Sequence, residues 1–299
     1  MQKIKVKQIF IAVITMAVLS CLLLAGCGSL TAPITTGEFD SSQEINVISR
    51  EGGSGTRVAF IDLLDIEEKG DDGTSKDRTT KEAIITNKTD VMLINTAGNA
   101  YAVGYVSMGS LNDKVKALSI DGVSPTTKNV HNSSYKLTRI FYIAIKEEAS
   151  GLTKDFIDFI LSSDGQAVVD INYISVNANA AAFVSSQPTG KIVVAGSSSV
   201  TPVMEKLREA YLEINPDADI EVQQSDSTAG ISGLMEGTCD IGMSSRALKE
   251  EELGQLTAIP IALDGIAIIV NNANPCTNIS SIQARDIFTG DILYWRQAI

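Results

Sequence analysis

The chain has 299 residues, enough for one large or two modest domains with true hydrophobic cores. Hydrophobic residues make up 44% and charged residues 20%, an ordinary globular composition that excludes a disordered chain. With 36 acidic against 24 basic side chains, a formal net charge of −12 and no basic cluster, the chain lacks the electrostatic footprint of a nucleic-acid binder.

In chain order, Lys3, Lys5 and Lys7 precede an apolar stretch from Ile9 to Leu24, and Ala25-Gly26 stand before Cys27. This order predicts an export signal, although the stretch is also long enough for an uncleaved membrane anchor. Leu24-Ala25-Gly26-Cys27 resembles the bacterial lipobox, which implies that Cys27 is acylated, becomes the first mature residue, and ties the body to the extracytoplasmic face of the cell membrane. Cys21 falls inside the signal, so only Cys239 and Cys276 remain. Two separate buried thiols are expected there, with a bridge between them left open, and no CxxC or Cys/His spacing calls for a metal or cofactor. Residues 28–44 are polar and aperiodic and read as a flexible tether.

Strands and helices then alternate. Ile45–Ser49 reads as a strand, followed by a helix from about Thr56 with Val58, Ile61 and Leu64 on one side. Asp90–Ile94 leads to Gly98–Met108, Arg139–Ile145 is a near-continuous apolar strand, and Thr153–Ile171 reads as a helix with a break at Gly165. Residues 177–190 are small and polar and read as a linker. Lys191–Gly196 is a strand, and Thr201–Pro216 an amphipathic helix with Val203, Leu207, Ala210 and Ile214 inward, Pro202 in its first turn and Asn215-Pro216 as its stop. Strands over 218–224, 239–245 and 265–271 and helices over 230–237 and 280–290 complete an α/β layered pattern with largely buried strands.

Four strand ends share one chemistry. Ser49–Thr56 runs Ser-Arg-Glu-Gly-Gly-Ser-Gly-Thr, Gly196–Val200 runs Gly-Ser-Ser-Ser-Val, Ser225–Gly230 runs Ser-Asp-Ser-Thr-Ala-Gly, and Ser244-Ser245-Arg246 follows a fourth strand. Each places glycine or serine where a strand passes into the next element, where helix N–H groups lack partners and the helix dipole favours negative charge. Glycine admits close backbone approach, hydroxyls add small donors, and Arg50 adds a fork that matches an oxyanion. Hydrogen bonds to charged groups contribute roughly 1.5–3 kcal/mol each. A micromolar complex needs about 8 kcal/mol, so a donor-rich pocket with one cation suffices for a small tetrahedral oxyanion. Any one such turn is more commonly a plain helix cap; four together carry the reading.

These segments, with Ile287–Trp295, resemble the phosphate-binding proteins of bacterial ABC phosphate importers, the lipoprotein type especially, over most of residues 45–299. The resemblance implies a two-lobed, type II-like periplasmic-binding-protein fold, each lobe a mixed sheet flanked by helices. It also implies a monomer that clamps one inorganic phosphate at its hinge and delivers it to an ABC permease. Carried over by motif, it places Arg50, Ser54, Gly55 and Thr56 on phosphate oxygens, with Ser198, Ser199 and Val200 from the second loop, Ser227 from the third and Ser245 from the fourth.

Two departures stand out. Ser245 lies where some family members carry an aspartate, which would accept a hydrogen bond from protonated phosphate and repel fully ionised sulfate. The order of segments is also rotated, as in a circular permutation, with residues 177–190 joining the former ends. One lobe is then 45–138 plus 264–299 and the other 139–263. A truncated or fragmentary gene product is the alternative expectation.

A P-loop and a nucleophile elbow both fail on their spacing: Gly190-Lys191 runs into Ile192, and Gly52-Gly53-Ser54-Gly55 into Thr56. His131, the sole histidine, sits in a polar segment and reads as a solvated loop residue, so no hydrolase is expected. A binder of sulfate, molybdate or tungstate, or a surface adhesin without transport, remains the alternative. Trp295 reads as packing, and the acidic run from Asp65 as solvated surface.

Overall fold

A computed structural model of the chain describes residues 38–70, 74–146 and 148–299. The export signal, Cys21, Cys27 and the tether up to residue 37 lie outside the described residues. In chain order the elements are β1 (Asn46–Arg50), α1 (Gly55–Leu63), β2 (Glu67–Lys69), β3 (Ser75–Asp77), β4 (Ile84–Thr86), α2 (Thr89–Ala97), β5 (Ala102–Ser107), β6 (Val115–Ala117), β7 (Ser119–Ile120) and α3 (Thr127–His131). They continue with β8 (Thr138–Ile145), α4 (Gly151–Leu161), α5 (Ser163–Val169), β9 (Gly190–Ser197), α6 (Thr201–Ile214), β10 (Ala218–Ser225), α7 (Ser227–Glu236), β11 (Ile241–Ser244), α8 (Glu250–Leu253), β12 (Thr257–Asn271), β13 (Asn278–Ile279) and α9 (Ser281–Thr289).

The main sheet runs β10-β9-β11-β8-β12-β5-β1-β4, with β6 also on β12. Parallel pairs occupy its two ends, β9 with β10 and β11, and β1 with β4 and β5. The antiparallel strands β8 and β12 lie between. β12 changes partner along its length: Thr257–Gly265 pairs with β8, and Ile266–Val270 with β5. This one strand therefore joins two halves, and its residues from Asp264 to Val270 are all buried, as expected where helices cover both faces. The fold is a mixed α/β arrangement of two halves that share the long strand β12.

Each half has its own core. Phe141, Ile143, Phe156, Phe159, Val194, Val203, Leu207 and Tyr211 are among the residues that fill the β9 half, while Ile48, Met92, Val106, Ala267 and Ile269 lie in the core of the β1 half. In the β1 half, Phe60 of α1 stacks on Tyr105 of β5 at 4.0 Å, and Phe288 of α9 meets the Phe60 ring edge-on at 4.7 Å. Offset and edge-to-face ring contacts of this kind add to the area they bury. They fix α1 against the sheet, and so the position of its first turn.

Several expectations shift. Val58 is 43% exposed, because Phe60 takes the inward position on α1. On α6 the buried stripe is Val203, Met204, Leu207 and Tyr211, and Ile214 is exposed at the last turn; Tyr211 goes in because its hydroxyl reaches Asp155 at 2.8 Å. The helix break falls at Ser162, not Gly165. The Ser162 hydroxyl donates to Phe159 O at 2.7 Å and accepts the Gly165 N–H at 3.2 Å, ending one helix and capping the next. His131 closes the short helix α3 instead of sitting in a loop, and it is exposed. Ser41, Gln43 and Glu44, expected in the tether, pair with Arg296, Trp295 and Tyr294.

Residues 177–190 form no helix before β9 begins, yet they are held. Ser185 and Ser186 bond the Asp155 carboxylate, and Phe183 packs edge-on against Phe159. Cys239 and Cys276 are separate buried thiols. Ile66, within the acidic run, is fully buried. Trp295 is buried and donates its indole N–H to Tyr101 O at 3.0 Å. Among the described residues no helix is long and apolar enough to cross a membrane.

Candidate functional site

The four motif loops all lie at carboxyl ends of strands in the main sheet, where ligands of open α/β sheets bind. β1 ends in Arg50. The chain turns back through the Ser54 N–H to Glu51 O bond, and the Ser54 side chain then caps α1 by accepting from Arg57 N at 3.3 Å. β9 ends in Ser197, β10 in Ser225 and β11 in Ser244, and Asp226 caps α7 by accepting from Ala229 N at 2.8 Å. Arg50, Ser54, Thr56, Ser198, Ser199, Ser227 and Ser245 are all buried, none more than 2% exposed.

The structure brings most of these side chains together. Arg50 Nη2 donates to Ser198 Oγ at 3.0 Å. Ser198 Oγ lies 3.2 Å from Thr89 Oγ1, which lies 3.4 Å from Ser199 Oγ. Ser199 Oγ is 2.7 Å from Thr56 Oγ1, Thr56 Oγ1 is 3.5 Å from Ser245 Oγ, and Ser245 Oγ is 3.4 Å from Ser227 Oγ, which accepts the Ser245 N–H at 3.1 Å. Four links of this chain cross between the halves, from Thr56 and Thr89 of the β1 half to the serines of the β9 half.

Two predicted residues sit differently. Ser54 serves as the α1 cap, its hydroxyl engaged by Arg57 N instead of by the hydroxyl chain. Val200 holds the cap position before α6 with its side chain fully buried in the core, and its N–H donates to Ser197 O at 3.0 Å. Gly55 shows why a side chain is excluded at the start of α1: a Cβ there would stand 2.4 Å from Ser227 Oγ and 2.7 Å from Ser245 Oγ. Gly53 is equally constrained by the Asp226 carboxylate, and its carbonyl accepts from Thr228 N at 3.2 Å.

Charge is concentrated on one side. The Arg50 guanidinium forks onto Glu51, with Nε to Oε2 and Nη2 to Oε1 both at 2.8 Å, so the buried cation has its own partner. The Arg50 N–H donates to the Tyr105 hydroxyl at 3.1 Å, and burial pushes that phenol's pKa up. Behind the β11 loop lies a second buried pair, Arg139 with Asp264 at 3.0 Å. Its Nη1 donates to Ser245 O at 3.3 Å, and Asp264 also accepts from Ser107 Oγ at 2.8 Å. Burial pushes the Asp264 carboxyl up despite Arg139, and it pushes Arg139 down.

Sequence reading missed Thr89, Arg139 and Asp264 as parts of this site. Thr89 carries a signal that could have found it: it opens a helix three residues after β4 ends, the same junction as the other loops. Arg139 and Asp264 carry none, being 125 residues apart in the chain and joined only by the pairing of β8 with β12.

The proton count defines what the arrangement can hold. Six hydroxyls carry one proton each, and five contacts link them, so at least one proton finds no acceptor inside the chain. N–H donors arrive at both ends of the chain. A ligand completing it must accept, and a dehydrated anion accepts most. A separate cleft of about 720 Å³ lies alongside, lined by Arg57, Val58, Ile140, Tyr142 and Arg246 among others. Its Arg57 and Arg246 are already paired, with Asp77 and Glu252. Among the described residues no group of three or more His, Cys, Asp or Glu side chains could hold a metal.

A family model described as a PBP superfamily domain matches residues 35–164 and 182–299. The chain is 48% identical over 275 residues to the phosphate-binding protein PstS 2 of Streptococcus agalactiae, covering 91% of this chain and 94% of that one. It is 38% identical over 138 residues to the phosphate-binding protein PstS of Bacillus subtilis, covering 45% of this chain and 42% of that one. A crystal structure of a phosphate ABC transporter, phosphate-binding protein from Streptococcus pneumoniae TIGR4 superposes with a TM-score of 0.68 at 44% identity, covering 86% of this chain and all of that one. The chain belongs to the PBP superfamily and, within it, to the PstS family of these relatives.

Proposed function

We propose that the chain captures inorganic phosphate between the two halves of its sheet and delivers it to an ABC permease. The observation that carries this reading is the chain of six buried hydroxyls. It holds six protons for five internal contacts, ends on Arg50, and is assembled from both halves. Phosphate oxygens entering it would receive protons from Thr56, Ser198, Ser199, Ser227 and Ser245, and charge from Arg50, with Gly55 leaving the room. Ser54 and the main-chain N–H groups near Gly55 and Val200 complete the proposed shell. Acylated Cys27 would anchor this monomeric receptor to the extracytoplasmic face of the membrane.

The lobes are proposed to be 45–138 with 264–299, and 139–263, a division supported by the change of partner at Gly265/Ile266. The proposed circular permutation, with 177–190 as the joint, is supported by two alignments. That with the Streptococcus agalactiae relative runs nearly end to end, whereas that with the Bacillus subtilis relative stops at under half of each chain.

A second reading, a site for sulfate or molybdate, is favoured by Ser245. No carboxylate belongs to the hydroxyl chain, since Glu51 is engaged by Arg50 and Asp226 by the α7 cap. Calorimetric titration of the protein with phosphate, sulfate and molybdate tests both readings. Heat with phosphate at micromolar or tighter affinity is expected, sulfate tighter than phosphate would favour the second reading, and no heat with any of them from a folded sample would defeat both.

A further inference from the structure

We propose that Thr89 is a further anion-contacting residue, which brings a fourth helix, α2, into the site; this rests on the phosphate-binding reading above. No motif of the four loops includes it. Thr89 is 2% exposed, and its hydroxyl lies between those of Ser198 and Ser199, at 3.2 and 3.4 Å. Groups that donate to neighbouring oxygens of one small anion lie within a few ångströms of each other. A hydroxyl wedged between two proposed ligand contacts therefore stands within reach of the same ligand.

Its surroundings argue against a purely local role. Thr89 is the first residue of α2, not its cap; Lys88 holds the cap position and makes no side-chain capping bond. A threonine in that place gains nothing for the helix beyond what most residues give. Its contacts with the hydroxyls of Ser198 and Ser199 both cross to the β9 half. Without Thr89 the hydroxyl chain would divide, with Arg50 and Ser198 on one side and Ser199, Thr56, Ser245 and Ser227 on the other. The α2 N-terminus also adds the favourable end of a helix dipole to the same face as α1.

The position further bears on which species is bound. A threonine hydroxyl both donates and accepts, so Thr89 can receive the proton of a hydrogen phosphate while Ser198 or Ser199 takes its own. In this way the chain would accommodate a protonated oxyanion without a carboxylate at position 245.

The test measures phosphate Kd by calorimetry, and melting temperature without ligand, for the wild type, Thr89→Val, Thr89→Ala and Thr89→Ser. Loss of one hydrogen bond to a charged ligand should weaken binding about tenfold or more in Thr89→Val and Thr89→Ala. Thr89→Ser, which keeps the hydroxyl, should stay within about threefold of wild type, and the ligand-free melting temperatures should agree. Binding by the wild type with unchanged affinity in Thr89→Val, or in Thr89→Ala should the valine protein not fold, would overturn this inference alone. So would an affinity loss that Thr89→Ser shares in full, or one matched by a fall in ligand-free melting temperature, since either marks a structural role. No binding by the folded wild type would overturn the phosphate reading and this inference with it.

Discussion

The two sides of the hydroxyl cluster are built on unlike principles. The β1 half supplies a full charge, Arg50 with its Glu51 partner, together with a glycine-rich turn and two threonines. The β9 half supplies only neutral serines at strand and helix ends, and its buried cations, Arg139 paired with Asp264 and Arg246 paired with Glu252, are turned to holding the β11 loop. Aimed dipoles on one side and a compensated cation on the other stabilise an anion without a basic surface. That is why a chain of net charge −12 can be an anion receptor. Position matters more than the count of charges.

Breaking the charged side should have the largest effect. Arg50→Ala removes the fork and leaves the Glu51 carboxylate beside the ligand, so phosphate affinity should fall by about a hundredfold or more by calorimetry. Gly55→Ala comes next, because its Cβ would meet both Ser227 and Ser245. Overpacking of this kind costs about 1–3 kcal/mol, and because the clash is there without ligand it should appear as a lowered ligand-free melting temperature together with weakened phosphate binding.

Ser245→Asp sharpens the neutral side by adding an acceptor. Sulfate affinity should fall by about tenfold or more, while phosphate, which carries a proton to share, should lose less; parallel titrations read the ratio. The smallest effect on binding is expected at Asp155, which holds the 177–190 segment through Ser185, Ser186 and Tyr211. Burial pushes this carboxyl up, but bonds from the Ser186 N–H and from the Ser185, Tyr211 and Ser186 hydroxyls outweigh it, and its pKa is lowered. With the folded pKa below the unfolded one, Asp155 stabilises the fold above about pH 4, and that contribution is lost as pH falls through the lowered value. Asp155→Asn should cost about 1–3 kcal/mol at neutral pH in denaturant melts, flatten the acid side of the stability profile, and leave phosphate affinity unchanged.

What the sequence reveals follows the range of the interaction. Strand-to-helix junctions depend on a few neighbouring residues, so the loops at Arg50, Ser198, Ser227 and Ser245 could be read directly. Thr89 obeys the same rule but stands alone, without glycine or a serine run to mark it. The inward stripes of α1 and α6 went astray at Val58 and Ile214 because a periodic pattern shows that a helix has an apolar side, not which neighbour that side meets. Ser162 ends its helix through two hydrogen bonds that composition alone does not distinguish from a solvent-facing serine. The Arg139–Asp264 pair depends wholly on tertiary pairing across the two long strands.

Crystallography of the protein grown with phosphate tests the account most directly. One phosphate with its oxygens within hydrogen-bonding distance of Arg50, Thr56, Ser198, Ser199, Ser227 and Ser245 is the predicted result. Phosphate seated instead in the neighbouring cleft against Arg57 or Arg246, with the hydroxyls still bonded to one another, would contradict it.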